Sequence, residues 1–263
     1  MERFLQSPPN EFASWITSPR QSRAERLRLF CLPYAGGSAT LYHAWAAALP
    51  NVEVCPIQLP GRESRIREPA LTRMSLLIDA LTVAMRPYLS RPFAFFGHSM
   101  GALISFELAR RLIMDGRPGP RHLFVAPHRA PQLRDDRPFL HTQPEPAFAE
   151  QVSIRYAALP KQIADDPESM RLFMPTLRAD LAVCETYEYH EGSPLACPIS
   201  VFGGWQDNGV SSFDLDAWRL QTTAQFSVRM FAGDHFFIKG AKAELLQAIS
   251  DDLARIDITF VAP

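Results

Sequence analysis

The sequence predicts an α/β protein whose mostly parallel central sheet is flanked by helices, and three observations carry that expectation. Short apolar runs alternate with stretches of helical period, the pattern of strands joined by crossover helices. One apolar run, Phe93-Ala94-Phe95-Phe96, passes through Gly97-His98-Ser99-Met100-Gly101 straight into a helical period, leaving room only for a sharp turn. Hydrophobic residues make up 47% of 263, enough to build a sizeable core.

The elements follow in order. Leu27 to Pro33 reads as a strand, and Ala35-Gly36-Gly37-Ser38 turns into a helix carrying Tyr42, Trp45 and Leu49. Val52 to Gln58 is the next strand, followed by a basic loop at Pro60-Gly61-Arg62. Leu76, Leu77, Ala80, Leu81 and Ala84 mark an amphipathic helix beginning near Thr72 or Ser75. The Phe93 strand comes next, then a helix from Met100 to Met114 with Leu103, Ile104, Leu108, Leu112 and Ile113 at helical spacing and a stop at Gly116 and Pro118. Leu123 to Ala126, Ile199 to Phe202 and Phe226 to Phe231 are further strands, and a helix from Ala241 to about Ile256 closes the fold.

Between Pro127 and Pro198 this rhythm breaks. The stretch is rich in proline yet holds helical segments: Asp166-Pro167 reads as an N-cap with proline in the first turn, Pro175 ends that helix, and Leu177 to Tyr189 forms another. A connection this long needs structure of its own. It is read as a helical lid, about 128–195, inserted over the C-terminal edge of a single domain spanning 1–263, whose core is about 26–127 and 196–257.

Composition narrows the function. A formal net charge of −1 gives no electrostatic case for nucleic acid or an anionic membrane. Cys31, Cys55, Cys184 and Cys197 form no C-x-x-C pair and read as free thiols in a reducing compartment. Met1 to Arg26 lacks the apolar region of a signal peptide, and no stretch approaches ~18 consecutive apolar residues. A cytoplasmic protein is expected. No histidine, cysteine or acid cluster has metal-ligand spacing, and no phosphate-binding G-x-x-x-x-G-K-[ST] loop occurs, so neither metal nor cofactor is expected.

The turn at Gly97-His98-Ser99-Met100-Gly101 carries the chemistry. With glycine near 7% of residues, G-x-S-x-G arises by chance in about one chain in ten of this length. Between a buried strand and a helix it becomes a nucleophile elbow, a strained turn that lifts a serine hydroxyl above the sheet. Such a serine needs a base and an acid, in the chain order Ser, Asp or Glu, His. Phe202-Gly203-Gly204-Trp205-Gln206-Asp207 puts an acid just after a strand, and Phe231-Ala232-Gly233-Asp234-His235 puts a histidine just after the last one. The interval from Ser99 to Asp207 leaves room for the lid and one crossover; that from Asp207 to His235 fits a single helix and strand. The backbone N–H of Met100 and of Ala35, with Gly36 as second choice, are the expected donors to an oxyanion.

Other candidates are weaker. His98 is expected to pack beneath the elbow. His43, His122 and His128 read as core histidines, and His141 and His190 belong to the lid. Asp234 adjoins His235 and cannot face its imidazole; Asp214 and Asp216 read as helix caps; Asp180 reads as a solvated or salt-bridged lid residue.

Leu32-Pro33-Tyr34-Ala35-Gly36-Gly37-Ser38, Gln58-Leu59-Pro60-Gly61-Arg62, Phe96-Gly97-His98-Ser99-Met100-Gly101, Leu177-Arg178-Ala179-Asp180 and Gly233-Asp234-His235-Phe236-Phe237 occur in this order. Together they resemble the type II thioesterases that accompany polyketide and nonribosomal peptide synthetases, relatives of the thioesterase that ends fatty acid synthesis. The resemblance runs from about Leu27 to Ile256. It implies an α/β-hydrolase fold, a Ser99–Asp207–His235 triad, and hydrolysis of acyl thioesters from the phosphopantetheine arm of carrier proteins to clear stalled or wrongly loaded units. The implied partners are acyl or peptidyl carrier protein domains and their small acyl groups; separately, a monomer is expected. Tyr34 stands where many members have His, Asp207-Asn208-Gly209 where Asp-Pro is frequent, and Tyr156-Ala157-Ala158-Leu159-Pro160 lacks the usual Gly-Gly pair. Arg62, Arg65 and Arg67 are either carrier contacts or a solvated loop with local ion pairs. A product-releasing thioesterase, a carboxylesterase or lipase-like hydrolase, and a non-catalytic binding module are the alternatives.

Overall fold

A computed structural model describes residues 15–17, 27–156 and 166–256. The chain runs β1 (Leu27–Leu32), a 3₁₀ segment (Ala39–Ala47), β2 (Val52–Pro56), α1 (Met74–Met85), β3 (Phe93–His98), α2 (Met100–Met114), β4 (Leu123–Ala126), α3 (Glu145–Tyr156), α4 (Pro167–Glu185), β5 (Ile199–Gly204), α5 (Ser212–Asp216), β6 (Phe226–Phe231), α6 (Phe237–Gly240) and α7 (Lys242–Leu253). The strands form one six-stranded sheet in the order β2-β1-β3-β4-β5-β6, every pair parallel.

Strand periodicity explains why the sheet is covered on both faces. Phe30, Leu32, Phe93, Phe95, Leu123 and Val125 point into one apolar cluster, which takes in Leu77, Leu81, Leu103 and Leu108. Their neighbours Leu29, Cys31, Ala94, Phe96, Phe124 and Ala126 point into the other, which holds Trp45, Leu245 and Ile249. Strands apolar on both faces are what a parallel sheet between two helical layers requires. The chain leaves β1 for β2 on one side and then returns to β3 on the other, so the order reverses between β1 and β3. The carboxyl ends of these two strands therefore border a crevice, the usual ligand position in open α/β sheets.

Several expectations shift. Residues 39–47 coil as a 3₁₀ segment, and the helix expected near Thr72 or Ser75 starts at Met74. Leu76 and Ile113 face solvent, at 50% and 47% exposure. Each sits one residue, about 100° of helix, from a core position at Leu77 or Leu112. Asp166 caps α4 as expected, accepting from the N–H groups of Glu168 and Ser169. Pro175, however, does not end that helix: α4 continues through it to Glu185. A proline ring removes one helical donor and crowds the preceding turn. Here the following turn is anchored, because the Thr176 hydroxyl donates to the Gly61 carbonyl at 2.6 Å and Leu177 and Leu181 are buried. The Ala157 to Pro160 stretch, where the Gly-Gly pair is missing, lies outside the described residues.

Candidate active site

Ser99 sits where β3 stops and α2 begins, with φ of 53° and ψ of −116°. Left-handed backbone is rare at a residue bearing a Cβ and costs on the order of 1–3 kcal/mol. The flanking glycines make the turn sterically possible. A Cβ on Gly97 would collide with the Gly101 carbonyl, and one on Gly101 with the Leu32 carbonyl of β1. The Ser99 N–H donates to the Ala126 carbonyl at 2.5 Å, tying the elbow to β4.

Asp207 follows β5 and His235 follows β6, neighbouring strands whose loops are laced together. Gln206 N–H donates to the Gly233 carbonyl at 2.9 Å, and Gly233 N–H donates back to Gln206 Oε1 at 2.6 Å. Gly204 permits this approach, since a Cβ there would strike the backbone of Gly233 and Asp234. His235 Nδ1 lies 2.8 Å from Asp207 Oδ2, and the carboxylate, 2% exposed, also accepts the Gly209 N–H at 2.7 Å. A carboxylate beside Nδ1 fixes the proton there and leaves the Nε2 lone pair for another group. Ser99, His235 and Ala35 open into one cavity of about 1050 Å³, with Asp207 behind the imidazole. A larger cavity, about 1390 Å³ between α1, α2 and residues 186–196, touches none of these groups and lacks their chemistry.

The loop after β1 supplies the candidate donors. Gly37 N–H closes a turn onto the Tyr34 carbonyl at 2.8 Å, with Gly36 at φ 76°. Gly36 N–H is already committed, donating to Asp180 Oδ2 of α4 at 2.7 Å, so the second-choice donor is removed. Neither the Ala35 nor the Met100 N–H has an acceptor among the described residues. Met100, opening α2, has no helical acceptor by construction.

The other described histidines take no part in the Asp207 contact. His98 is fully buried beneath the elbow, with its ring against Tyr34, Phe236 and Phe237. Burial first, then the nearby His235 charge, holds its pKa well below the ordinary value. His122 and His128 are pushed down to about 4, chiefly by burial. His43 departs from its expected core position: it is exposed, 3.3 Å from the Thr17 hydroxyl. His141 meets Glu185 at 2.6 Å. Among the acids, Asp214 forms a capping box with Ser211, whereas Asp216, at the end of α5, pairs with Arg219.

Sequence reasoning misjudged the Gln58 to Arg67 loop. Arg62 and Arg65 are buried, at 6% and 5% exposure, and only Arg67 of the three is exposed. Arg62 makes paired hydrogen bonds to Asp180 at 2.6 and 2.7 Å, and Arg65 stacks on Trp15 and bonds Glu68. Buried guanidinium groups with saturated partners hold loops together rather than meet a carrier. Gln58 joins them, accepting from Ala39 N–H and donating to the Arg62 carbonyl.

A strained serine elbow at the switch point of a parallel sheet, with a carboxylate-held imidazole on the adjoining loops, defines an α/β-hydrolase. The thioesterase domain family model matches residues 27–253, and the chain belongs to that family. The chain is 42% identical over 240 residues to the gramicidin S biosynthesis protein GrsT of Aneurinibacillus migulanus, covering 91% of this chain and 93% of that protein. Its fold matches the RedJ thioesterase of the prodiginine pathway in Streptomyces coelicolor with a TM-score of 0.79 at 38% identity, over 87% of each chain. BorB, the type II thioesterase of the borrelidin cluster, superposes with a TM-score of 0.81 at 32% identity, over 92% of this chain and 97% of that one. The chain is accordingly a thioester hydrolase. No helix among the described residues is long and apolar enough to cross a membrane, and none of their side chains form a group able to hold a metal ion.

Proposed function

We propose that the chain is a type II thioesterase that hydrolyses acyl thioesters from the phosphopantetheine arm of carrier proteins, serving polyketide or nonribosomal peptide assembly. The observation that carries this reading is the strained Ser99 turn opening into the same cavity as an imidazole backed by a buried carboxylate. Relatives named for gramicidin S, prodiginine and borrelidin biosynthesis support the substrate class.

In this mechanism His235 Nε2 takes the Ser99 proton as Oγ attacks the thioester carbonyl. The Ala35 and Met100 N–H groups receive the oxyanion, and Asp207 orients the imidazole and stabilises its cation. The C–S bond breaks, His235 returns the proton to sulfur, and the pantetheine thiol leaves. Water, deprotonated by His235, then attacks the acyl-serine and frees the acid. The reaction draws on side chains, backbone and water, with pantetheine brought by the substrate. The insertion of about 128–195, whose Val152, Leu177 and Leu181 line the cavity, acts as the lid over the acyl chain. The reading also carries the expectation of a cytoplasmic monomer.

A panel of acyl-loaded carrier proteins tests the proposal. Wild type releases acid, while Ser99→Ala lowers the rate by about 10⁴-fold or more. Unchanged release by that variant overturns the mechanism. Faster turnover of simple oxygen esters than of acyl-pantetheine would assign an esterase instead.

A further inference from the structure

The buried pair Arg62–Asp180 lies outside the triad, yet both of its members grip the loop that holds Ala35. Asp180 Oδ2 accepts the Gly36 N–H at 2.7 Å, and Arg62 donates to the Gly37 carbonyl at 3.0 Å. The Ala35–Gly36 and Gly37–Ser38 peptide units are thus held, one by its N–H and the other by its carbonyl, by two side chains that also bond each other twice. Arg62 is fixed in turn through Nε to the Pro60 carbonyl at 3.2 Å. Asp180 comes from α4, far away in the chain, and α4 seats directly on the loop: the space beside Gly36 that a Cβ would need is filled by Phe173 and Leu177. Ala35 itself packs against the apolar cluster of α3 and α4.

We infer that Asp180, with Arg62, is a positioning residue for the oxyanion loop, and that α4 must be seated for the Ala35 N–H to face the reacting carbonyl. The inference rests on the proposed Ser99 mechanism. By taking the Gly36 N–H, Asp180 leaves Ala35 as the donor of this turn and fixes its direction. A carboxylate is suited to the task because a charged acceptor holds an amide more firmly than a neutral one. When α4 lifts, the Gly36 amide loses its acceptor and the loop relaxes, so an open cover is an inactive one. The coupling confines hydrolysis to a closed, filled chamber.

The test replaces both partners, Arg62→Met with Asp180→Leu, so that neither charge is left buried alone. Expected is a loss of about 100-fold in kcat, the cost of a displaced transition-state donor. Affinity for an alkyl boronic acid, which forms a tetrahedral serine adduct, falls in parallel. Binding of a non-hydrolysable acyl-pantetheine thioether stays within threefold of wild type. A folded double variant with wild-type kcat and boronate affinity overturns the inference, as does a loss seen equally in thioether binding. Asp180→Asn, which keeps an oxygen for the Gly36 N–H, should recover at least tenfold of kcat over Asp180→Ala; equal activities count against the proposal. In the unaltered protein the Gly36 amide should exchange slowly with solvent, and exchange at the free rate refutes the clamp. Ser99→Ala in the same assays separates the two readings: if it stays active the mechanism itself falls, and if it is dead while the double variant is normal only the positioning role falls.

Discussion

At the carboxyl edge of the sheet Asp207 binds the imidazole of His235 and the nearby Ser99 stands on strained backbone. At the amino edge a second serine, histidine and aspartate meet in a different order. The Ser200 hydroxyl donates to Asp252 Oδ2 at 2.8 Å, and His122 Nε2 lies 2.9 Å from the same hydroxyl. With the serine proton committed to the carboxylate, His122 Nε2 must be the donor to the serine oxygen, so it has no lone pair to offer as a base. Arg229 and Arg255 further occupy Asp252, at 2.6 and 3.3 Å. Ser200 lies within extended β5, paired on both sides, rather than in a turn between strand and helix. The same three residue types therefore make a polar knot at one edge and a candidate nucleophile at the other. Connection order and backbone geometry decide which.

Changes at the two edges should separate activity from stability. Asp207→Asn should lower kcat about 10⁴-fold while leaving the urea midpoint near wild type, because the imidazole is held in the wrong tautomer. A kcat within tenfold of wild type would break the contrast. Asp252→Ala should do the reverse, leaving kcat within threefold but costing about 2–3 kcal/mol in urea unfolding, since Ser200 and partly exposed Arg229 lose their acceptor. Acid should probe the amino edge next. Burial holds the His122 pKa at about 4 in the fold, below the ordinary value near 6.5, so the unfolded chain takes up a proton first and stability falls as pH drops from 6.5 toward 4. His122 alone should account for about 2 kcal/mol between pH 7 and 5, and His122→Gln should flatten that part of the slope. Ser200→Ala should cost the least, about 1 kcal/mol, with no change in kcat.

The carboxyl edge was legible in the sequence because each of its groups follows a strand, where a short apolar run gives way to a glycine-containing loop. Ser99, Asp207 and His235 could be picked out as candidates from the elbow motif, the chain order and their places after strands. What the sequence hid lies in through-space pairing. Asp180 and Gly36 stand 144 residues apart, and nothing in the local pattern at Asp180 says that its oxygen will meet a backbone amide of the first loop. Arg62 and Arg65 read as either carrier contacts or solvated loop residues because arginine is usually exposed; only the fold supplies the carboxylates and carbonyls that let them be buried. Pro175 misled for a related reason, since a helix-breaking residue is tolerated where the next turn is pinned. Leu76 and Ile113 show the limit of periodicity on helices that border both core and solvent.

The backbone at Ser99, φ 53° and ψ −116°, suits glycine far better than serine. Ser99→Gly should yield an inert protein that melts above Ser99→Ala, by up to about 1 kcal/mol of relieved distortion. Breeding this scaffold for heat tolerance alone would then tend to discard the Ser99 hydroxyl, and any library built on it must retain a turnover selection alongside the thermal one.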